Sequence, residues 1–502
     1  MKRILTIVCL MLATHFVSFA GYVSPGSNET ITLENLLSNP DVEMGKVGNS
    51  YHLYSDVTIS QSDVFDISGD VSLLISGNAS LVINGHAKFV GNGNTLIGSL
   101  DSTAPARSIR IDESGSGEFR QVKFEGIGIY SWTASPISAI ECEFTHVTSA
   151  SNSQAALAFG CSSIGNVVSG CTFTDNSVPA IASSANAYCG VTVENCTITD
   201  CNTDNRNAPM INLTTPAENG PTVLRGNTIT GAKRNMVGGI SISNMVGGNM
   251  GDVLIEENNI SDCRYGINIY GPVNAQVRNN TLKDNRYENN PMNGGSGISC
   301  TAFAGLQNTI ISGNHIEGSL WGVTLISYGF IMSNSYKGFA LVSLGQPDND
   351  QIDSPGNNVF LNNGNNGHSY DITEPYDLFN NTNQTVYAQN NIWSVPEQTP
   401  EEIEKVIFHK ADSDIYGEVI FTQDTGSVSS VTSEAETLRY DPTTSTIIAA
   451  GIADCIEIIQ INGGTIKKMN NTQMLSLESL SRGIYVVKAT LNGNISTIKV
   501  YK

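Results

Sequence analysis

Along the middle of the chain the apolar and polar positions repeat one short signature: an aliphatic residue, two polar or small residues, an Asn or Cys, any residue, then Ile, Phe or Leu. It reads Val168-Ser-Gly-Cys171-Thr-Phe173, Val193-Glu-Asn-Cys196-Thr-Ile198, Leu224-Arg-Gly-Asn227-Thr-Ile229, Ile255-Glu-Glu-Asn258-Asn-Ile260, Val277-Arg-Asn-Asn280-Thr-Leu282 and Ile311-Ser-Gly-Asn314-His-Ile316. The Asn/Cys positions fall 25, 31, 31, 22 and 34 residues apart. A period of this size with variable insertions marks a solenoid. No repeat carries a helical apolar period. The apolar residues alternate over short runs, as in Gly266-Ile-Asn-Ile269, Gly297-Ile-Ser-Cys300 and Gly322-Val-Thr-Leu325, which predicts strands. Each repeat is too rich in Gly, Asn, Ser and Thr to form a core alone, so its aliphatic row must be buried against the next repeat. The expected fold is all-β: a coil of short strands and turns, stacked into a parallel β-helix.

The chain divides into segments of different composition. Residues 1–20 carry Lys2-Arg3, an apolar run from Ile4 to Val17 and Ser18-Phe-Ala20, the pattern of a secretory signal peptide. Residues 21–50 are expected to lead in and cap the solenoid, with a short amphipathic helix at Thr32-Leu-Glu-Asn35-Leu-Leu37. The β-helix is expected over 51–395 and a C-terminal cap over 396–421, where Pro400 starts a helical turn. A linker rich in Ser, Thr and Gly follows over 422–438. The block 439–502 alternates strand and turn around Asn462-Gly and Asn492-Gly, the local cue for hairpins, and predicts a small β-sandwich. No stretch beyond residue 20 is long and apolar enough to span a membrane.

Charge narrows the partners. The chain has 26 Lys and Arg against 47 Asp and Glu, a formal net charge of -21, which argues against nucleic acid and against an unaided grip on a polyanion. From Tyr440 onward the sign reverses, with six Lys/Arg (Lys467, Lys468, Arg482, Lys488, Lys499, Lys502) against four Asp/Glu. Cys142, Cys171 and Cys196 occupy one column on successive coils. Strands about 4.8 Å apart allow either a Cys171–Cys196 bridge or a stack of buried thiols. Pairs in Cys-x-x-Cys spacing are absent, so a zinc site is not expected.

The repeats resemble right-handed parallel β-helix proteins of the pectin-lyase-like superfamily. That resemblance implies a right-handed coil and a surface on which lyases, hydrolases, adhesins and proteins without a known reaction are all built. A second resemblance covers residues 439–502. Tyr440-Asp-Pro442, Glu457-Ile-Ile-Gln-Ile-Asn-Gly-Gly464 and Leu480-Ser-Arg-Gly-Ile-Tyr-Val-Val-Lys488, ending in Ile498-Lys-Val-Tyr-Lys502, look like the C-terminal sorting domain of the type IX secretion system. It implies contact with that machinery, transport across the outer membrane, and a final place at the cell surface or in the medium.

Equivalent coil positions lie side by side, so candidate chemistry falls in columns. Four residues after the Asn/Cys column stand His146, Asp175, Asp200, Asp262 and Asp284. Carboxylates such as Asp262 and Asp284 suit calcium, the one cofactor the pattern raises, but Asp also satisfies tight turns. Six residues after the column come Lys233, Arg264 and Arg286, with Arg234 beside the first and aromatics at Tyr265 and Tyr287. Arg264 and Arg286 are the candidate bases of a lyase. Lys233, Arg234, Tyr265 and Tyr287 are the candidate binding residues. Tyr270, Trp321 and Tyr328 add rings able to stack on sugars. Asn84-Gly-His86 and Asn366-Gly-His368 faintly resemble an element of polygalacturonase-like hydrolases, without the carboxylate pair that hydrolysis needs. The expected function is a secreted or cell-surface monomer that binds or processes an extended polysaccharide or surface glycan. If enzymatic, it is a polysaccharide lyase or glycoside hydrolase. The alternative is a non-enzymatic adhesin or structural β-helix.

Overall fold

The computed structural model describes residues 21–149, 154–246, 251–288, 293–327, 338–345, 354–364, 376–422, 438–441, 445–460, 465–480, 484–491 and 494–501. The signal-peptide segment, most of the 422–438 linker, Tyr328 and Asn366-Gly-His368 lie outside the described residues. Two compact units form, Met1–Gln423 and Asp424–Lys502.

The first unit is a right-handed parallel β-helix. Each coil contributes one short strand to each of three parallel ladders, here sheets 1, 2 and 3. Sheet 1 has 14 strands, from Tyr22–Val23 to Ile407–Phe408. In a central coil, Ile240–Ser243 lies in sheet 1, Asp252–Glu256 in sheet 2 and Asn259–Ser261 in sheet 3. Early in the stack His86–Ser99 and Ser116–Glu125 run from sheet 2 into sheet 3 as single bent strands. The coils start earlier and finish later than the apolar alternation suggests. Tyr22–Val23 and Thr30–Ile31 already pair with the next coil, and Val419–Ile420 pairs with Val386–Ala388. The helix Leu33–Ser38 caps the first coils, with Thr32 and Asn35 exchanging the two hydrogen bonds of a capping box and Leu33 and Leu36 buried.

Two corners of the coil explain the repeated signature. Between sheets 2 and 3 the chain passes through one left-handed residue, among them Asn195 (φ 54°), Gly226 (φ 63°), Glu257 (φ 58°) and Asn279 (φ 55°). That single residue turns the next side chain inward. The inward position is the Asn/Cys column, and its amides form a continuous ladder. The Asn227 backbone N–H and Nδ2 both donate to Asn258 Oδ1, at 3.0 and 2.9 Å. Asn258 does the same to Asn280, Asn280 to Asn314, Asn314 to Asn358 and Asn358 to Asn391. The remaining Nδ2 hydrogen of each donates to a backbone carbonyl, as from Asn258 to the Leu224 oxygen at 2.9 Å. Every buried polar group of the corner is thereby paired. Toward the N-terminus the column becomes thiols: Cys142, Cys171 and Cys196 are buried and unbridged, and the Cys196 N–H donates to Asn227 Oδ1 at 3.0 Å.

Between sheets 3 and 1 the second corner also uses left-handed residues: His146, Asp175, Asp200, Asp262 and Asp284, with φ between 47° and 58°. Inside the coil the apolar rows stack, with Phe124, Phe144 and Phe173 face to face at 4.7 and 4.8 Å. On the outer face of sheet 2, Glu194, Arg225, Glu256 and Arg278 alternate in charge along one row, and Glu256 is held by Arg225 at 2.5 Å and Arg278 at 2.8 Å.

The second unit is one antiparallel sheet of five strands, Leu438–Asp441, Thr446–Gln460, Thr465–Ser476, Ile484–Leu491 and Asn494–Tyr501. Thr446–Gln460 is long enough to pair first with Leu438–Asp441 and then with Ile484–Leu491, and Leu438–Asp441 also approaches Asn494–Tyr501. The sheet encloses its own core of Ile447, Ile456, Ile458, Leu475, Tyr485 and Val487.

Candidate functional site

The basic stripe lies where the loops after sheet 3 enter sheet 1, and it sorts into separate hydrogen-bonded groups. Lys233 Nζ is 3.9 Å from Asp262 Oδ1 and 5.7 Å above the Tyr287 ring, and the Tyr287 hydroxyl donates to Asp262 at 3.2 Å. The phenol beside Lys233 holds its ammonium above the usual range. Arg234 forks onto Asp200. Arg286 lies 3.5 Å from Asp284. Arg264 donates to Asn207 Oδ1 at 2.6 Å and to the Asn293 carbonyl at 2.5 Å, tying loops of neighbouring coils together. Asp262 and Asp284 therefore serve a turn and one or two local donors each. Among the described residues no three of His, Cys, Asp and Glu gather as a metal set.

Tyr265 is the residue of this group that reaches farther. Its ring covers Gly238, where any Cβ would meet ring carbons, and its phenol faces the Ser241 hydroxyl. Burial pushes that phenol up to about 12. Asn268 Nδ2 donates to the same Ser241 hydroxyl at 2.9 Å. Ser241 and Asn268 are neighbours in register on the outer face of sheet 1.

That face is a row with an unusual composition. From coil to coil the outward position reads Ala158, Ala182, Asn212, Ser241, Asn268, Ser299 and Thr324. None of these is charged. Outward residues of a sheet facing water are ordinarily exposed; here Ser241 and Thr324 are buried, at 5% and 4% exposure, and Asn212, Asn268 and Ser299 are half-buried. Beside it runs a second row in which Ser296, Trp321 and Tyr376 are neighbours, and Ser296 shares a hydroxyl hydrogen bond with Thr324 at 2.8 Å. Toward the N-terminus the floor becomes Tyr130 and Arg110, with Trp132 close to Tyr130 at 6.0 Å. There a cleft of ≈ 350 Å³ is lined by Leu81, Val82, Arg107, Arg110 and Tyr130. Tyr270, on the far rim, stacks on Phe303 at 5.5 Å.

The sequence pointed to the loop cations and to Tyr265, Tyr270 and Trp321 as surface rings, but not to the floor. The signal was present: the floor residues Ser241, Asn268, Ser299 and Thr324 are the middle letters of the recurring Gly-aliphatic-x-aliphatic motif.

Residues 108–337 match the family model for the right handed beta helix region. Among solved structures the chain is similar to the crystal structure of the periplasmic alginate epimerase AlgG, at 12% identity with a TM-score of 0.47, over 78% of this chain and 84% of that one. Two mutants of the same epimerase match over the same shares at 12% identity, with TM-scores of 0.45 and 0.39. No curated protein matches the chain.

Proposed function

We propose that the β-helix binds an extended polysaccharide along the outer face of sheet 1. The observation that carries this reading is the row Asn212, Ser241, Asn268, Ser299 and Thr324, hydroxyl and amide groups in register at about 4.8 Å, bordered by the rings of Tyr130 and Tyr265. Hydroxyls and amides both donate and accept, as sugar hydroxyls do, and aromatic faces pack on the apolar faces of sugar rings. A neutral glycan fits better than a polyanion. The row from Ala158 to Thr324 is uncharged, the chain carries -21, and Arg234 and Arg286 are engaged by Asp200 and Asp284. Arg264, with two of its nitrogens tied to Asn207 and Asn293, is a rim-building residue in this reading. Binding is the conclusion, and processing is an outcome of the test.

The test uses the full chain, titrated with linear glucan, mannan, xylan and alginate, with and without calcium, while unsaturated products and reducing ends are followed. Binding to at least one neutral glycan is expected, weakened about tenfold in Asn268→Ala and Ser241→Val, since each substitution orphans polar partners on the ligand and the floor. Equal affinity in both variants would remove the floor from the reading. New absorbance lost in Arg264→Ala would make the protein a lyase, and silence on every glycan would favour the adhesin or structural reading.

We further propose that residues 439–502 are a type IX sorting domain that takes the β-helix across the outer membrane. The reading rests on the motifs quoted above and is supported by the reversal of charge in that block and by its separate core.

A further inference from the structure

We propose that the groove on sheet 1 is walled at one end by aromatic rings, so that the protein takes the end of a polysaccharide chain rather than its middle. This rests on the carbohydrate reading above. Along the floor the small residues stop abruptly: after Ser299 and Thr324 the next outward position in register is Phe379, and the one after it is Phe408. The Phe379 ring lies 4.8 Å from that of Trp321 with 22° between their planes, and Trp321 stacks on Tyr376 at 4.8 Å and 24°. Phe408 and Tyr416 meet Phe379 edge-on at 5.1 and 6.1 Å. These rings pack with Leu320 as a cluster of their own, separate from the core inside the coil, so they stand on the outer side of the sheet. Their mutual packing fixes them.

A sugar chain lying on a floor of serine, asparagine and threonine meets this cluster, in which Trp321 and Phe379 are buried and Tyr376, Phe408 and Tyr416 half-buried, where small outward residues give way to rings. It must end there or leave the floor. At the opposite end, among the described residues, the floor position is Tyr130, whose ring lies over Gly160 beside the exposed Trp132, without a packed cluster of rings continuing the row. From Tyr130 to Phe379 the floor advances eight coils, roughly 38 Å at about 4.8 Å per strand. A chain advancing by about one sugar per coil fills it with on the order of eight residues.

Calorimetric titration of the full chain with narrow size fractions of the glycan it binds, drawn from linear glucan, mannan, xylan and alginate, tests the inference. One protein per polysaccharide chain is expected at every length, and affinity for oligosaccharides is expected to rise to about eight units and then level off. Proteins bound per chain growing in proportion to chain length would overturn the wall while leaving the carbohydrate reading intact. No binding by any fraction would overturn that reading and the wall with it. Phe379→Ser replaces a ring of the cluster by a small residue and is expected to admit several proteins per chain. Should that variant fail to fold, Phe408→Ser removes a half-buried ring of the same cluster and is expected to raise the number bound. Unchanged stoichiometry in a folded variant would also overturn the wall.

Discussion

Two buried residues show how the chain uses polar groups where a core would ordinarily exclude them. Asn280 accepts two hydrogen bonds from Asn258 and donates to Asn314 and to the Ile255 carbonyl. Asn280→Ala strands the Asn258 N–H and amide in the coil interior, a cost of about 2–5 kcal/mol, to be read as a lower urea midpoint at unchanged slope. Cys196→Asn, at the thiol end of the same column, is expected to be tolerated, because the new Nδ2 can donate to Asn227 Oδ1 as Asn227 donates to Asn258. A loss in Cys196→Asn equal to that of Asn280→Ala would mean the column does not act through its ladder. Asp377 is the other case. Burial pushes its carboxyl up to about 6, against the donors Ser394 N–H, Ser394 Oγ and Asn363 Nδ2. Because the folded state holds this proton more tightly than the unfolded chain, its contribution to stability is fully present below about pH 4 and is lost as pH rises through about 6. A shift of about two units is worth about 3 kcal/mol. Asp377→Asn should flatten stability across that window in urea titrations at stepped pH, and an unchanged slope would exclude Asp377 as its source.

At the level of elements, the Asn/Cys column was legible because a corner made by one left-handed residue forces the same inward side chain at every coil. Strand alternation and the Thr32 cap were legible for similarly local reasons. The floor of the groove was harder to read. Loops of unequal length separate its residues, and an outward Ser or Asn gives no apolar signal, so the Gly-aliphatic-x-aliphatic motif revealed its flanks and hid its centre. Asp at 200, 262 and 284 is what a left-handed corner selects, because a short polar side chain tolerates that conformation. Asp262→Asn should therefore keep the fold near wild-type stability, whereas Asp262→Val should cost about 1–2 kcal/mol. A thermal midpoint that rises with calcium in the wild type and not in Asp262→Asn would instead restore a metal role to the column.

For the whole molecule, the informative fact is that the two units have separate cores. Among the described residues, the apolar cluster of the β-helix runs from Ile31 to Val419 and that of the second unit from Leu438 to Val500. In a stack whose coils rely on their neighbours, removing a block that shares no core should leave the melting of the coils unchanged. Deleting 439–502 is accordingly expected to preserve the β-helix transition in calorimetry and its glycan binding, while abolishing delivery beyond the outer membrane of the native host. Both measurements are needed, since a truncated chain that unfolds would also fail to appear outside. A folded, glycan-binding chain that still reaches the cell surface without 439–502 would leave the last block without a sorting role and return it to the standing of an accessory sheet.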